Sequence, residues 1–381
     1  MDLDLTWLLW GLPLAFAAGW LASRFDLHQW RLEGRRAPKA VFRGLNQLLN
    51  EQQDRAIDSF IEAVQNDPDT SELHFALGNL FRRRGDYDRA VRVHEHLLAR
   101  GDLTQKDRDR AQHALALDFL KAGLLDRAEA ALRQLENSAF ADEARQALLG
   151  IFERARDWPQ AIAMAEQLDK EHTGAYQTRL SHFWCEMAAA ATKREAIDEA
   201  MQLLERARAS APEAPRPQVE IAALQQRQQQ PDAALDTLLA LGGTHPQTLP
   251  LVAHPMAQLA LQTGRSETVR ARLEQLQPTP PSIDVTEAIA SLNSDPAAAR
   301  DTYLRHLESE ASLVMAARWL AGEPLGGAQQ QAMVQRALDQ ATQPLKRYRC
   351  AACGFEAKQY FWQCPGCQSW DSYPTRRVEE L

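Results

Sequence analysis

The sequence predicts an all-α protein: a superhelical stack of about seven or more short helix pairs, preceded by one N-terminal membrane-spanning helix and closed by a small four-cysteine module. Three observations carry this expectation. Ala, Leu, Gln, Glu and Arg dominate a chain with only 7% aromatic residues, a helix-forming composition. A pattern of small and large apolar residues recurs at a spacing near 34 residues. Four of the five cysteines crowd into eighteen positions near the C-terminus as two Cys-x-x-Cys pairs. With 381 residues, 45% of them hydrophobic, there is material for two or three domains. A net charge of −8 works against non-specific nucleic-acid binding, and no partner of that class is expected.

Taken in chain order, residues Leu5–Ser23 carry no charge, and nineteen helical residues rise about 28 Å, close to the hydrocarbon thickness of a bilayer. Trp7, Trp10 and Trp20 lie toward its ends, where indoles favour the interface. A cleaved signal peptide would need a basic leader, whereas this chain begins Met-Asp-Leu-Asp. No Lys or Arg precedes the stretch, and Arg24, Arg31, Arg35, Arg36 and Lys39 follow it. The expected orientation therefore puts 24–381 in the cytoplasm. Gly11, Ala15 and Gly19 recur every four residues. Such a stripe either admits a second helix, and with it a homo-oligomer, or simply faces lipid.

The expected divisions are an anchor over 1–23, a basic linker over 24–36, well-marked repeats over 37–210, degenerate repeats and final helices over 211–345, and the cysteine module over 346–381. Ala56, Phe60, Ala63 and Pro68 have counterparts starting 34 residues later at Ala90. Leu77-Gly78 and Phe81 precede Ala90 at the offsets of a tetratricopeptide helix pair. Leu115-Ala116, Phe119 and Ala128 repeat the pattern, as do Leu149, Phe152 and Ala161, then Trp184, Met187 and Ala196. Weaker copies lie at 222–234 and 256–268, while 283–320 is too eroded to phase. Small residues sit where the two helices of a pair cross, and large ones fill the gap to the next pair. No pair buries its apolar face alone, so stacking builds the core.

Punctuation supports the same division. Gly85 and Gly123 are placed to end first helices in the left-handed conformation. Residues 101–107 read as a surface insertion. Residues 211–217 and 277–282 read as proline-rich joints, and 322–327 as a break before a last helix over Ala328–Ala341.

Cys350-Ala-Ala-Cys353-Gly354 is followed, nine residues on, by Cys364-Pro-Gly-Cys367. Each turn can present two thiolates to one ion, with a following or intervening glycine giving the tight backbone. Four sulfurs complete a tetrahedral site suited to zinc or iron. No position is left open for a substrate water, so the metal reads as structural. Tyr348, Phe355, Tyr360, Phe361, Trp362, Trp370 and Tyr373 supply a small core around it and a means of docking onto the last repeats.

Other candidates weigh less. Cys185 reads as a small buried residue. His94 and His96, two apart on a helix, point to different faces and not at one ion. Phe75, Asn79, Arg82 and Arg83 are expected to face a concave groove that takes an acidic partner segment. The competing reading of 82–84 is a solvated last turn complementing the helix dipole. G-x-x-x-x-G-K-[ST], H-E-x-x-H and G-x-S-x-G are all missing, and no enzyme activity is expected.

In its N-terminal stretch, and in RGLNQLLNEQQDRAIDSFIEAV at 43–64, ELHFALGNLFRRRGDYDRAVRVHEHLLAR at 72–100 and YRCAACGFEAKQYFWQCPGCQSWDSYP at 348–374, the chain resembles the lipopolysaccharide assembly protein B family of Gram-negative bacteria. The resemblance implies a single-pass inner-membrane protein with a periplasmic N-terminus, cytoplasmic repeats and a rubredoxin-like module. In that module Cys350, Cys353, Cys364 and Cys367 hold a metal, usually iron. It further implies an adaptor that promotes degradation of the UDP-acyl-N-acetylglucosamine deacetylase by the membrane-anchored AAA protease, restrained by an inner-membrane protein that senses lipopolysaccharide. A rubredoxin-type electron carrier and a generic repeat scaffold are the alternatives.

Overall fold

The computed structural model describes residues 15–20, 36–67, 69–323 and 327–381. Two compact units divide between Asp157 and Trp158. In the first, α1 (15–20) is followed by α2 (Arg36–Leu49), α3 (Gln53–Asn66), α4 (Ser71–Arg84), α5 (Tyr87–Leu98), α6 (Gln105–Ala122), α7 (Leu125–Arg133) and α8 (Ala141–Ala155). The second begins with α9 (Trp158–Glu171), α10 (Gln177–Lys193), α11 (Ile197–Ser210), α12 (Arg216–Arg227), α13 (Pro231–Thr244), α14 (Leu249–Thr263) and α15 (Ser266–Leu276). It continues through α16 (Ile283–Leu292), α17 (Pro296–Ser309), α18 (Leu313–Ala321) and α19 (Ala328–Thr342) into the cysteine module. There β1 (Tyr348–Arg349) pairs antiparallel with β2 (Glu356–Ala357), Tyr348 opposite Ala357.

One backbone device phases these helices more clearly than any side chain does. The residue that ends α2, α4, α6, α8, α10, α12 and α14 has positive φ: Glu51 (58°), Gly85 (86°), Gly123 (76°), Arg156 (56°), Glu195 (63°), Gln229 (58°) and Gly264 (72°). At each, the next N–H donates to the carbonyl five residues back, as in Asp86 to Phe81 and Arg265 to Ala260, both at 2.9 Å. This is the Schellman closure, which satisfies carbonyls the helix leaves open and turns the chain into the second helix of a pair. Four of these positions are Glu, Arg or Gln, in a conformation that costs an L-residue roughly 1–2 kcal/mol. Packing of the pair holds them there.

Within the first unit, Phe60, Leu77, Leu80, Phe81 and Ala90 bury together, and Phe75, Leu97 and Ala111 form a neighbouring cluster. Beneath them a polar group is fully enclosed. Asp118 accepts from Arg82 at 2.8 Å and lies 2.5 Å from His94 Nδ1, and neither Asp118 nor His94 exposes any side chain. The His94 ring lies against Gly78, where a Cβ would come within 2.4 Å of Nε2. That glycine is required by the close approach. Within the second unit, the apolar faces of α13, α14 and α16 share one core through Leu235, Leu241, Val252, Met256, Val285 and Ile289.

The expected membrane span over 5–23 is corrected, and with it the single-pass inner-membrane placement with cytoplasmic bulk and the bilayer contact. Among the described residues no helix is long and apolar enough to cross a membrane. Of that stretch only residues 15–20 are described, and they are helical. Ala15 and Gly19 lie on α1, exposed, with nothing within 4 Å of a Cβ at Gly19. Gly11, Arg24, Arg31, Arg35, Pro68 and 324–326 lie outside the described residues. The insertion at 101–107 is also shorter than expected, because Thr104 caps α6 and 105–107 are its first turn.

Candidate metal centre

The four cysteines come from two knuckles that face each other. Gly354 N–H donates to Cys350 O at 2.9 Å, and Gln368 N–H to Cys364 O at 2.8 Å. The residue after each second cysteine, Gly354 or Gln368, has positive φ (77° and 62°). In the second knuckle the strained position is therefore Gln368 and not Gly366. Gly366 instead makes room for Phe355, whose ring lies 3.4 Å from where its Cβ would stand. The four Sγ atoms all lie within 4.8 Å of one another, with Cys350–Cys367 at 3.8 Å and Cys353–Cys364 at 3.7 Å. Metal–sulfur bonds of about 2.3 Å place the corners of a tetrahedron about 3.8 Å apart, so the set fits one tetrahedral ion.

Electrostatics point the same way. Burial disfavours the Cys350 thiolate, but a hydrogen bond with Ser372 and the N–H groups of Cys353 and Ala352 outweigh it and bring the thiol down to about 6. Ser369 holds Cys367 low through its side chain and its N–H. At Cys353 the Phe355 N–H favours the thiolate, yet burial and the three neighbouring sulfurs prevail, pushing the thiol up to about 12. Four thiolates this close need a cation, and zinc and iron satisfy the same sulfur tetrahedron. Tyr348 and Tyr373 bury beside Cys350 and Cys364, with Tyr360 and Phe361 packed against them.

The module docks on the last helices and also farther back in the chain. Trp370 stacks on His182 at 4.5 Å and 14° between planes, with Trp158 and Phe183 edge-on at 6.3 and 6.2 Å. Arg216 lies 5.6 Å from the Trp370 ring, 5% exposed, and its remaining donors go to Glu186 (2.7 Å), Glu220 (2.6 Å) and His182 Nδ1 (3.3 Å). Because a guanidinium only donates, His182 accepts at Nδ1, and its Nε2–H donates to Asp371 at 2.7 Å. The tail then closes two helices. Glu379 accepts from Ser312 Oγ (2.7 Å) and Leu313 N (2.6 Å) at the start of α18, and Glu380 accepts from Ile283 N (3.0 Å) at the start of α16. Arg377 makes a two-point pair with Asp284 at 2.7 Å. Sequence patterning offers no signal for ties such as Leu313 to Glu379 and His182 to Asp371, whose partners stand 66 and 189 residues apart.

The other expected site residues lie apart from the cysteines along the chain. Phe75 is 1% exposed, beneath Arg110 at 4.1 Å. Asn79 accepts from Arg82, whose other donors hold Asp118 and Ala114 O. Arg83 is exposed. Cys185 is fully buried, and burial pushes its thiol up.

Repeated helix pairs with left-handed closures and a four-thiolate ribbon docked on them define a tetratricopeptide-type protein with a metal-binding module. The profile for a rubredoxin metal binding domain matches residues 348–373. The lipopolysaccharide assembly protein B of Escherichia coli is 30% identical over 392 aligned residues, covering all of both chains. That of Haemophilus influenzae is 25% identical, over 95% of this chain and 96% of its own. A tetratricopeptide repeat protein from Parabacteroides merdae superposes with a TM-score of 0.35 at 12% identity, over 68% of this chain and 99% of its own. The chain belongs to the lipopolysaccharide assembly protein B family. The Escherichia coli and Haemophilus influenzae relatives are both named as lipopolysaccharide assembly proteins.

Proposed function

We propose that the chain is an adaptor that lowers lipopolysaccharide synthesis by delivering the UDP-acyl-N-acetylglucosamine deacetylase to the membrane-anchored AAA protease. The observation that carries this reading is the full-length 30% identity to lipopolysaccharide assembly protein B. The fold suits it, since stacked helix pairs offer extended surfaces for a protein client, and Arg83 on α4 lies exposed among the residues expected to meet an acidic segment. An inner-membrane lipopolysaccharide-sensing protein acts as the restraining partner. The ribbon braces the repeats and carries no electrons: its metal, iron by family habit or zinc, sits beside residues whose bonds are spent on docking.

The test is the lifetime of the deacetylase after translation is stopped, in cells lacking this chain. We expect the half-life to lengthen several-fold and to return when the chain is restored. An unchanged half-life sinks the proposal. Electron transfer would instead require a reversible metal couple, and full regulation by a zinc-loaded form would exclude it.

A further inference from the structure

We propose that the second unit holds a binding site for a phosphate-bearing anion, in the cavity walled by His254, Lys346, Arg347, Lys358 and Arg377. The cavity has a volume of about 290 Å³ and gathers its walls from α14, α16, the segment after α19, the ribbon and the tail. Two carboxylates line it, Asp284 and Glu287, and both are already engaged. Asp284, its side chain 3% exposed, takes the two-point pair from Arg377 and lies 3.5 Å from His254. Glu287 accepts from Arg318 at 2.7 Å and lies 3.4 Å from His254. Hydrogen bonds to these two acids hold the His254 imidazolium well above its usual range, at about 9, so it is cationic at neutral pH.

With His254 and Arg377 engaged by the two carboxylates, Lys346, Lys358 and Arg347 are left in excess on the walls, in a chain whose net charge is −8. Among the described residues no carboxylate lies within ion-pair distance of Lys346 or Lys358, and Arg347 reaches Glu356 only at 3.5 Å. A recess with excess positive charge concentrates anions. Ammonium groups flanking a guanidinium suit tetrahedral, multiply charged oxyanions, with Arg supplying the fork and Lys the point charges. The volume accommodates a phosphate or diphosphate group with part of what carries it. Because Lys358 belongs to the ribbon and Arg377 to the tail, the site is complete only while the module is docked.

The experiment is titration calorimetry of the full chain with inorganic pyrophosphate at fixed ionic strength, with metal content checked before and after. A parallel arm measures co-sedimentation with phosphatidylcholine vesicles containing phosphatidic acid. Both are repeated with the Lys346→Ala, Lys358→Ala double variant. We expect saturable binding weakened at least tenfold by the variant, with its thermal midpoint in the absence of anion unchanged. Lysine-dependent binding of pyrophosphate assigns a free phosphate compound, and lysine-dependent binding of vesicles alone assigns the same group on a lipid. No saturable binding in either arm, equal affinity in the variant, or tighter binding of hexaglutamate than of pyrophosphate would overturn the proposal.

Discussion

Each unit ties together one histidine, one aspartate and one arginine, and the two groups do opposite work. In the first unit Asp118 is the hub, fully enclosed, joining Arg82 of α4 and His94 of α5 to α6. Its partners lie 24 and 36 residues away, so it ties adjacent helix pairs. In the second unit His182 is the hub, joining Arg216 of α12 to Asp371 of the ribbon, 189 residues distant. Asp371 keeps 46% of its side chain exposed. The difference teaches that enclosure and reach are separate properties: the first group joins neighbouring repeats and the second fastens a module to them.

The largest effect should come from the metal. Replacing Cys364 with Ser removes one of four ligands from a module whose folding rests on the ion, and apparent site energies run to about 10–16 kcal/mol. The ribbon should unfold and Trp370 should leave His182, read as lost amide protection over 348–373, while protection of α4 to α6 stays as it was. Loss of protection in the first unit as well would erase the distinction between the two groups.

Next come the two aspartates. Asp118→Ala strands Arg82 and His94 without their shared acceptor in a dry site and should cost about 3–5 kcal/mol in chemical denaturation. Asp371→Ala should cost about 1 kcal/mol, because water reaches the vacated position. Equal losses would show that reach matters as much as enclosure. The smallest change sharpens the frame around both: Glu195→Gly relieves a left-handed residue at the end of α10 and should stabilise by about 0.5–1 kcal/mol, visible as a raised thermal midpoint.

The helix pairs were legible because packing leaves small residues such as Ala90, Ala128 and Ala161 at near-regular spacings, and all three are fully buried. The four cysteines were legible as a cluster because two Cys-x-x-Cys pairs stand out in a chain with a single other cysteine, and their sulfurs do converge. Beyond residue 210 the repeat pattern blurred. The left-handed closures at Arg156, Glu195 and Gln229 are imposed by the packing of the pair and not by the residue, so no glycine marks them. Trp370, Asp371, His182 and Arg216 were illegible as a group, since their meeting is decided by tertiary closure. Phe75 read as a groove residue because a large apolar side chain on a helix face does not declare which neighbour covers it.

The glutamates at 379 and 380 carry a consequence for the order of assembly. Helices α16 and α18 receive their N-terminal acceptors from the far end of the ribbon, and α10 receives its indole cover from the same module. Closing such long loops costs conformational entropy before any contact repays it. The first unit's buried tie, by contrast, closes over 24 to 36 residues and can form as soon as its helices do. The second unit is thus expected to be the slow partner in folding, its late step the arrival of the ribbon's tail, whose two carboxylates finish helices that the chain laid down long before.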